Sequence, residues 1–168
     1  NKAVAAAKTA FESFSRTSRQ ERVELLESCI AVYKKYYADI ANAIREEMGA
    51  PQSLAMGGQA YCGQGHLEEA LRVLRTFEFE EDMGEHRIFK EPIGVCGLIT
   101  PWNWPVNQIS CKVAPALAVG CTMVLKPAGQ TPLSMLSLAL LAERAGIQPE
   151  CFSVITSKRS SDIGKEFC

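Results

Sequence analysis

The residues with the most chemical content are Trp102-Asn103-Trp104-Pro105, directly after the apolar run Ile93 to Thr100, and Lys126-Pro127, which closes a second apolar run. An asparagine set between two tryptophans and two prolines, Pro101 and Pro105, admits two readings. In one, Asn103 caps the helix that opens at Pro105, at a rigid corner packed by the aromatic rings. In the other, its side-chain amide is held at a strand end and donates to an oxygen on which negative charge develops. The residue types alone leave both open.

Other candidates carry less. Cys29, Cys62, Cys96, Cys111, Cys121, Cys151 and Cys168 are an odd number of thiols with no C-x-x-C pair, several of them inside apolar runs. That usage predicts reduced, buried side chains and neither a disulfide framework nor structural zinc. Cys62 and His66 could share a helix face, but two ligands make no structural zinc site, so no metal is expected. Gly63-Gln64-Gly65 opens like a dinucleotide fingerprint, yet Glu68 stands where the third glycine belongs and no apolar strand precedes it. The fingerprint is rejected. The chain contains neither a P-loop nor a serine nucleophile elbow.

The elements that must position these residues change period along the chain. Val4, Ala7, Phe11 and Phe14 recur at helical spacing. Ser18 with Glu21 makes a capping box, and Val23, Leu26, Ile30, Tyr33, Tyr37, Ile40, Ile44 and Met48 continue the rhythm to Gly49 and Pro51. This is one long helix or two that break near Lys35-Tyr36. A third helix is expected from about Leu54 to Leu74, with Leu67, Leu71 and Leu74 on one face. His86 to Glu91 alternates, and Ile93 to Thr100 reads as a strand. Pro105 to Val119 reads as a helix, Cys121 to Leu125 as a buried strand, Pro132 to Ala145 as a helix and Phe152 to Thr156 as a strand. The alternation predicts parallel βαβ units: an α/β fold, a Rossmann-like parallel sheet with crossover helices, preceded by a helical N-terminal segment. Ligands of such sheets bind outside the carboxyl ends of the strands, where Thr100–Trp104 and Lys126–Gly129 fall.

Composition excludes some functions. The 168 residues are 47% hydrophobic and 22% charged, and 18 basic against 19 acidic residues give a net charge of −1. There is no basic excess to neutralise phosphates, so a nucleic-acid partner is not expected. No apolar run reaches the roughly 18 residues of a membrane span and no signal peptide opens the chain, which predicts no membrane partner and a cytoplasmic location.

The stretch EPIGVCGLITPWNWPVNQISCKVAPALAVGCTMVLKPAGQTPL closely resembles the coenzyme-binding segment of the aldehyde dehydrogenase superfamily, with its P-W-N core and its V-x-K-P-[SA] loop. NKAVAAAKTAF, RVELL and AERAGIQPECFSVIT resemble further family segments in the expected order. The resemblance implies NAD(P)-dependent oxidation of a small-molecule aldehyde to an acid through a cysteine thiolate, with a glutamate assisting thioester hydrolysis. By matching positions, Asn103 is the oxyanion donor. Ile99, Thr100, Pro101 and Trp102 line the nicotinamide and ribose side, Lys126 reaches the adenosine ribose, and Ala128 and Gly129 lie beside it. Trp104, Asn107, Gln108 and Cys111 share the helix face that borders the aldehyde tunnel, and the two amides suggest a polar substrate. The family commonly carries Glu where this chain has Gly129. Loss of that carboxylate removes an acceptor for ribose hydroxyls and a repulsion toward a 2′-phosphate, which predicts a tolerance for NADP.

The sequence also departs from the family. No segment matches the family's catalytic glutamate or nucleophilic cysteine, and Ser157-Lys158 follows Thr156 where the family usually has Gly. Cys121 stands where Asn is usual. The expectation is a partial NAD(P)-binding domain over 1–168 (1–75 helical, 76–168 hairpin and βαβ units), from a longer enzyme that forms a homo-oligomer, dimer or tetramer. The alternatives are a non-catalytic dinucleotide-binding or oligomerisation module, or an acyl-phosphate reductase on the same scaffold.

Overall fold

Helical spacing governs the first half of the molecule, seen in a computed structural model that describes residues 2–167. Helix α1 (Lys2–Phe14) buries Ala7, Ala10 and Phe14. Val4 is exposed, because it lines a cleft between α1, the sheet and the C-terminal helix and does not reach the core. Helix α2 (Arg19–Lys35) opens on the expected capping box: the Glu21 N–H donates to Ser18 Oγ, and the Ser18 N–H donates to Glu21 Oε2 at 2.6 Å. The Ser18 N–H and the Ser18 hydroxyl, both donating to Glu21 Oε2, hold the Glu21 carboxyl below the usual carboxylate range. The long run does break, with Tyr36 (φ −107°, ψ 18°) ending α2 and leading into α3 (Tyr37–Met48), which closes on Gly49 at φ +71°.

A short turn, α4 (Gln52–Leu54), passes through a π-turn (Ala55–Gln59) into α5 (Ala60–Thr76). Leu67, Leu71 and Leu74 are the buried face, as their spacing demands. Gly63 explains itself here. A Cβ at Gly63 would collide with the Tyr33 hydroxyl and with Val106 Cγ1, so this glycine lets α5 approach α2 and the helix α6 (Pro105–Val119) closely.

Two short strands, β1 (Glu80–Asp82) and β2 (Arg87–Phe89), form an antiparallel hairpin with Glu80 opposite Phe89. Three more form a parallel sheet in the order β3 (Val95–Ile99), β4 (Thr122–Lys126), β5 (Phe152–Val154). The crossovers are α6 (Pro105–Val119) and α7 (Pro132–Arg144), and α8 (Ser160–Phe167) follows β5. Strand boundaries lie within two residues of those expected. All five residues of β4 are buried, which is why it reads as a continuous apolar run and shows no alternation. Arg22 is buried among these elements: its Nε donates to the Ala118 carbonyl in the last turn of α6 at 2.9 Å, and Nη1 donates to the Thr17 carbonyl. Six of the seven cysteines are free thiols, and Cys168 lies outside the described residues.

Candidate active site

The parallel register sets the geometry of the site. Ile99 lies opposite Lys126, so β3 and β4 end level, and the Thr100 N–H continues the ladder to the Lys126 carbonyl at 3.3 Å. The loops that follow are therefore neighbours, about one strand spacing (~4.8 Å) apart at their roots. Ile99 and Trp102 are each 48% exposed, an apolar surface at the carboxyl edge of the sheet.

Asn103 is exposed, and helix α6 opens at Pro105 with Trp104 in the N-cap position and no side-chain cap bond. The reading of Asn103 as a helix cap is thereby corrected. Trp104 is the residue with non-helical dihedrals (φ −137°, ψ 67°), because Pro105 sterically disfavours helical geometry in the residue before it. Among the described residues the Asn103 side chain makes no hydrogen bond. Its backbone carbonyl accepts from Gln59 Nε2 at 3.2 Å, which ties the corner to the π-turn before α5. The loop is anchored through its backbone and the amide remains free to donate.

The loop after β4 faces a cleft of about 700 Å³, lined by Pro127, Ala128, Gly129, Gln130 and Pro132 on one side and by Thr156, Ser157 and Lys158 on the other. Lys126 is buried at 7% exposure, with its ammonium donating to the Pro127 carbonyl at 3.1 Å. Gly129 has open space around an added Cβ and lies outside the positive-φ region, so neither packing nor backbone geometry demands a glycine there. Two hydroxyls of the loops, Thr100 Oγ1 and Thr131 Oγ1, are buried without a partner. An open cleft at the carboxyl ends of parallel strands, with Lys158 on its wall and no acid, suits a polar, anionic ligand.

Trp104, at the N-cap, and Asn107, Gln108 and Cys111 on α6 are all half-buried. Sequence reasoning missed their neighbours. His66 Nε2 lies 2.8 Å from Asn107 Oδ1, and since an amide oxygen only accepts, this nitrogen is the donor. Lys112 Nζ donates to Gln108 Oε1 at 3.3 Å. Both amides thus have their oxygens engaged by basic side chains. His66 joins Cys111 on the wall of a groove of about 270 Å³ between α5 and α6. Among the described residues no group of three or more His, Cys, Asp or Glu side chains is placed to hold a metal ion. His66 and Asn107 are 41 residues apart, and no local pattern signals such a pair.

Three of the thiols are held in their protonated form. Burial pushes Cys29 up to about 12, burial and the adjacent Cys121 push Cys96 to about 11, and burial with Glu150 pushes Cys151 to about 11. None of these three is an activated nucleophile. Among the described residues no helix is long and apolar enough to cross a membrane.

Comparison with known proteins agrees with this geometry. The aldehyde dehydrogenase family model matches residues 1–168. A 3-succinoylsemialdehyde-pyridine dehydrogenase from a Pseudomonas species is 51% identical over 154 residues, which cover 91% of this chain and 32% of that protein. A crystal structure of an aldehyde dehydrogenase C mutant from Pseudomonas syringae, in complex with NAD+ and octanal, superposes with TM-score 0.91 at 43% identity, covering 94% of this chain and 32% of the other. An NADP-dependent enzyme of E. coli superposes with TM-score 0.85 at 36% identity, covering 93% and 33%. The chain spans about a third of the length of these relatives. It belongs to the aldehyde dehydrogenase family.

Proposed function

We propose that the enzyme carrying this chain oxidises an aldehyde to a carboxylic acid, with NAD or NADP as hydride acceptor and water as the source of the second oxygen. The reaction consumes aldehyde, oxidised coenzyme and water, and yields acid, reduced coenzyme and one proton. The observation that carries the reading is the Asn103 amide, uncommitted to any cap and anchored through its backbone beside the ends of β3 and β4. When bound, the nicotinamide takes up the hydride. This chain's share is to orient and stabilise. The Asn103 side-chain N–H donates to the carbonyl oxygen as a cysteine thiolate adds to the carbon and that oxygen gains charge. Ile99, Thr100, Pro101 and Trp102 hold the nicotinamide side, and Lys126, Ala128 and Gly129 the adenosine side. Trp104, Asn107, Gln108 and Cys111 border the aldehyde, joined by His66.

The nucleophile and base are supplied by segments that resemble nothing in these residues, and the raised thiols of Cys29, Cys96 and Cys151 agree with that division. The chain reads as one NAD(P)-binding unit, helical over 1–75 and then hairpin and βαβ. The free thiols suit a reducing, cytoplasmic setting, and the family scaffold suits a homo-oligomer. The test is coenzyme reduction at 340 nm by the full-length enzyme with a panel of aldehydes. Asn103→Ala should lower kcat by about 10²–10³ with the coenzyme dissociation constant little changed. If turnover stays within a few-fold, Asn103 does not serve the oxyanion.

A further inference from the structure

Taking the coenzyme reading above as its basis, we propose that Glu47 sets the choice between NAD and NADP, acting from outside the coenzyme loop. Helix α7 begins at Pro132, which has no N–H to offer, and Thr131 in the N-cap position makes no cap bond. The next two amides, Leu133 and Ser134, are the donors that a capping side chain or a bound anion would take. Both are given to the carboxylate of Glu47 on α3, 86 and 87 residues away in sequence. Glu47 Oε2 accepts from the Ser134 N–H at 2.8 Å and from the Ser134 hydroxyl at 2.6 Å, and Oε1 accepts from the Leu133 N–H. A negative charge therefore sits on the positive end of α7, immediately after the coenzyme loop.

The charges around the adenosine cleft make this decisive. Its lining includes Gly129, Gln130 and Lys158 and no acid, and Lys126 lies one residue before it. Arg159 and Asp162, just beyond, compensate each other at 3.3 Å. With Gly129 in place of a carboxylate, this end would attract a 2′-phosphate through two lysines and an uncapped helix terminus. Glu47 cancels the helix terminus and adds an opposing charge, at little cost to NAD, whose adenosine ribose carries only hydroxyls.

Glu47→Gln tests this, because the amide keeps the size and one acceptor oxygen while removing the charge. In the full-length enzyme, kcat/KM for NADP relative to NAD should rise about three- to tenfold, the range that a charge at a helix terminus supports. Dissociation constants for the two coenzymes, measured by calorimetry without aldehyde, should shift in the same ratio. Ser134→Ala deletes one bond to Glu47 but keeps its charge, and should leave the ratio within about twofold. A cap that only holds α7 in place would weaken both coenzymes equally in Glu47→Gln. An unchanged ratio, or an equal loss for both, overturns the proposal. If the unmodified enzyme turns over no aldehyde, the activity reading falls, and the calorimetric ratio still decides the role of Glu47.

Discussion

At the scale of single residues, position 129 gives the most direct test of the proposed coenzyme site. Gly129 is exposed, its φ is outside the left-handed region and nothing lies within 4 Å of an added Cβ, so a larger side chain can enter without strain. The resemblance to relatives that carry Glu there could be read from the sequence. That the glycine serves neither packing nor the turn could not, because its backbone angle and the open space around it belong to the folded loop and are not reported by the residue type. Gly129→Glu should place a carboxylate within reach of the ribose hydroxyls and close to a 2′-phosphate. The preference for NAD over NADP should rise about tenfold or more in kcat/KM, a hydrogen bond gained by one coenzyme and a like-charge contact imposed on the other. An unchanged ratio would remove position 129 from the coenzyme site. The corner at Asn103 teaches the same lesson. Its residue types left a cap and a free donor both open, and the choice between them needed the dihedral angles of Trp104 and the bond from Gln59.

At the scale of elements, the 3–4 spacing of apolar residues and the unbroken run of β4 were legible because each reports a periodicity held within a single element. The break at Tyr36 was legible only as one of two options, since neither proline nor glycine marks it. The π-turn at Ala55–Gln59 had no sequence signal at all. What escaped entirely are the ties between elements: Gln59 to Asn103, His66 to Asn107, Glu47 to α7, Arg22 to α6. Each joins residues far apart in the chain, which no local window sees. Gly63 shows how such a tie can be mistaken for a motif. It looks like the start of a dinucleotide fingerprint, yet its role is to let α5 lie against Tyr33 and Val106. Gly63→Ala would improve helix propensity by about 1 kcal/mol in an exposed helix. Here the added methyl must displace a buried tyrosine whose hydroxyl donates to the Ala60 carbonyl at 2.7 Å. A net loss of about 1–3 kcal/mol is expected, read as a lower urea midpoint at constant m-value. A neutral or stabilising result would mean that α5 and α6 can separate without cost.

At the scale of the whole molecule, helices α2, α5, α6 and α7 enclose one apolar core against β4, and the thiols buried in and around it tie stability to pH. Cys29 is the clearest case, pushed up to about 12 by burial. In the unfolded chain a thiol titrates near about 8.5, so between these values the unfolded state has released its proton while the folded state still holds one. Fewer protons on the unfolded state mean that stability falls as pH rises. The contribution is therefore fully present below about pH 8.5 and is lost progressively toward pH 12, at about 1.4 kcal/mol per pH unit for this one group. Cys96 and Cys151, raised to about 11, steepen the same slope, and Tyr33, raised by burial, extends it further into the alkaline range. The check is the urea midpoint between pH 7 and 11 under reducing conditions, for the parent protein and for Cys29→Ala. The parent should hold its midpoint to about pH 8.5 and then decline. The variant should start lower, by the cost of a small buried cavity, and decline less steeply. Parallel curves would show that Cys29 is reached by water in the native state.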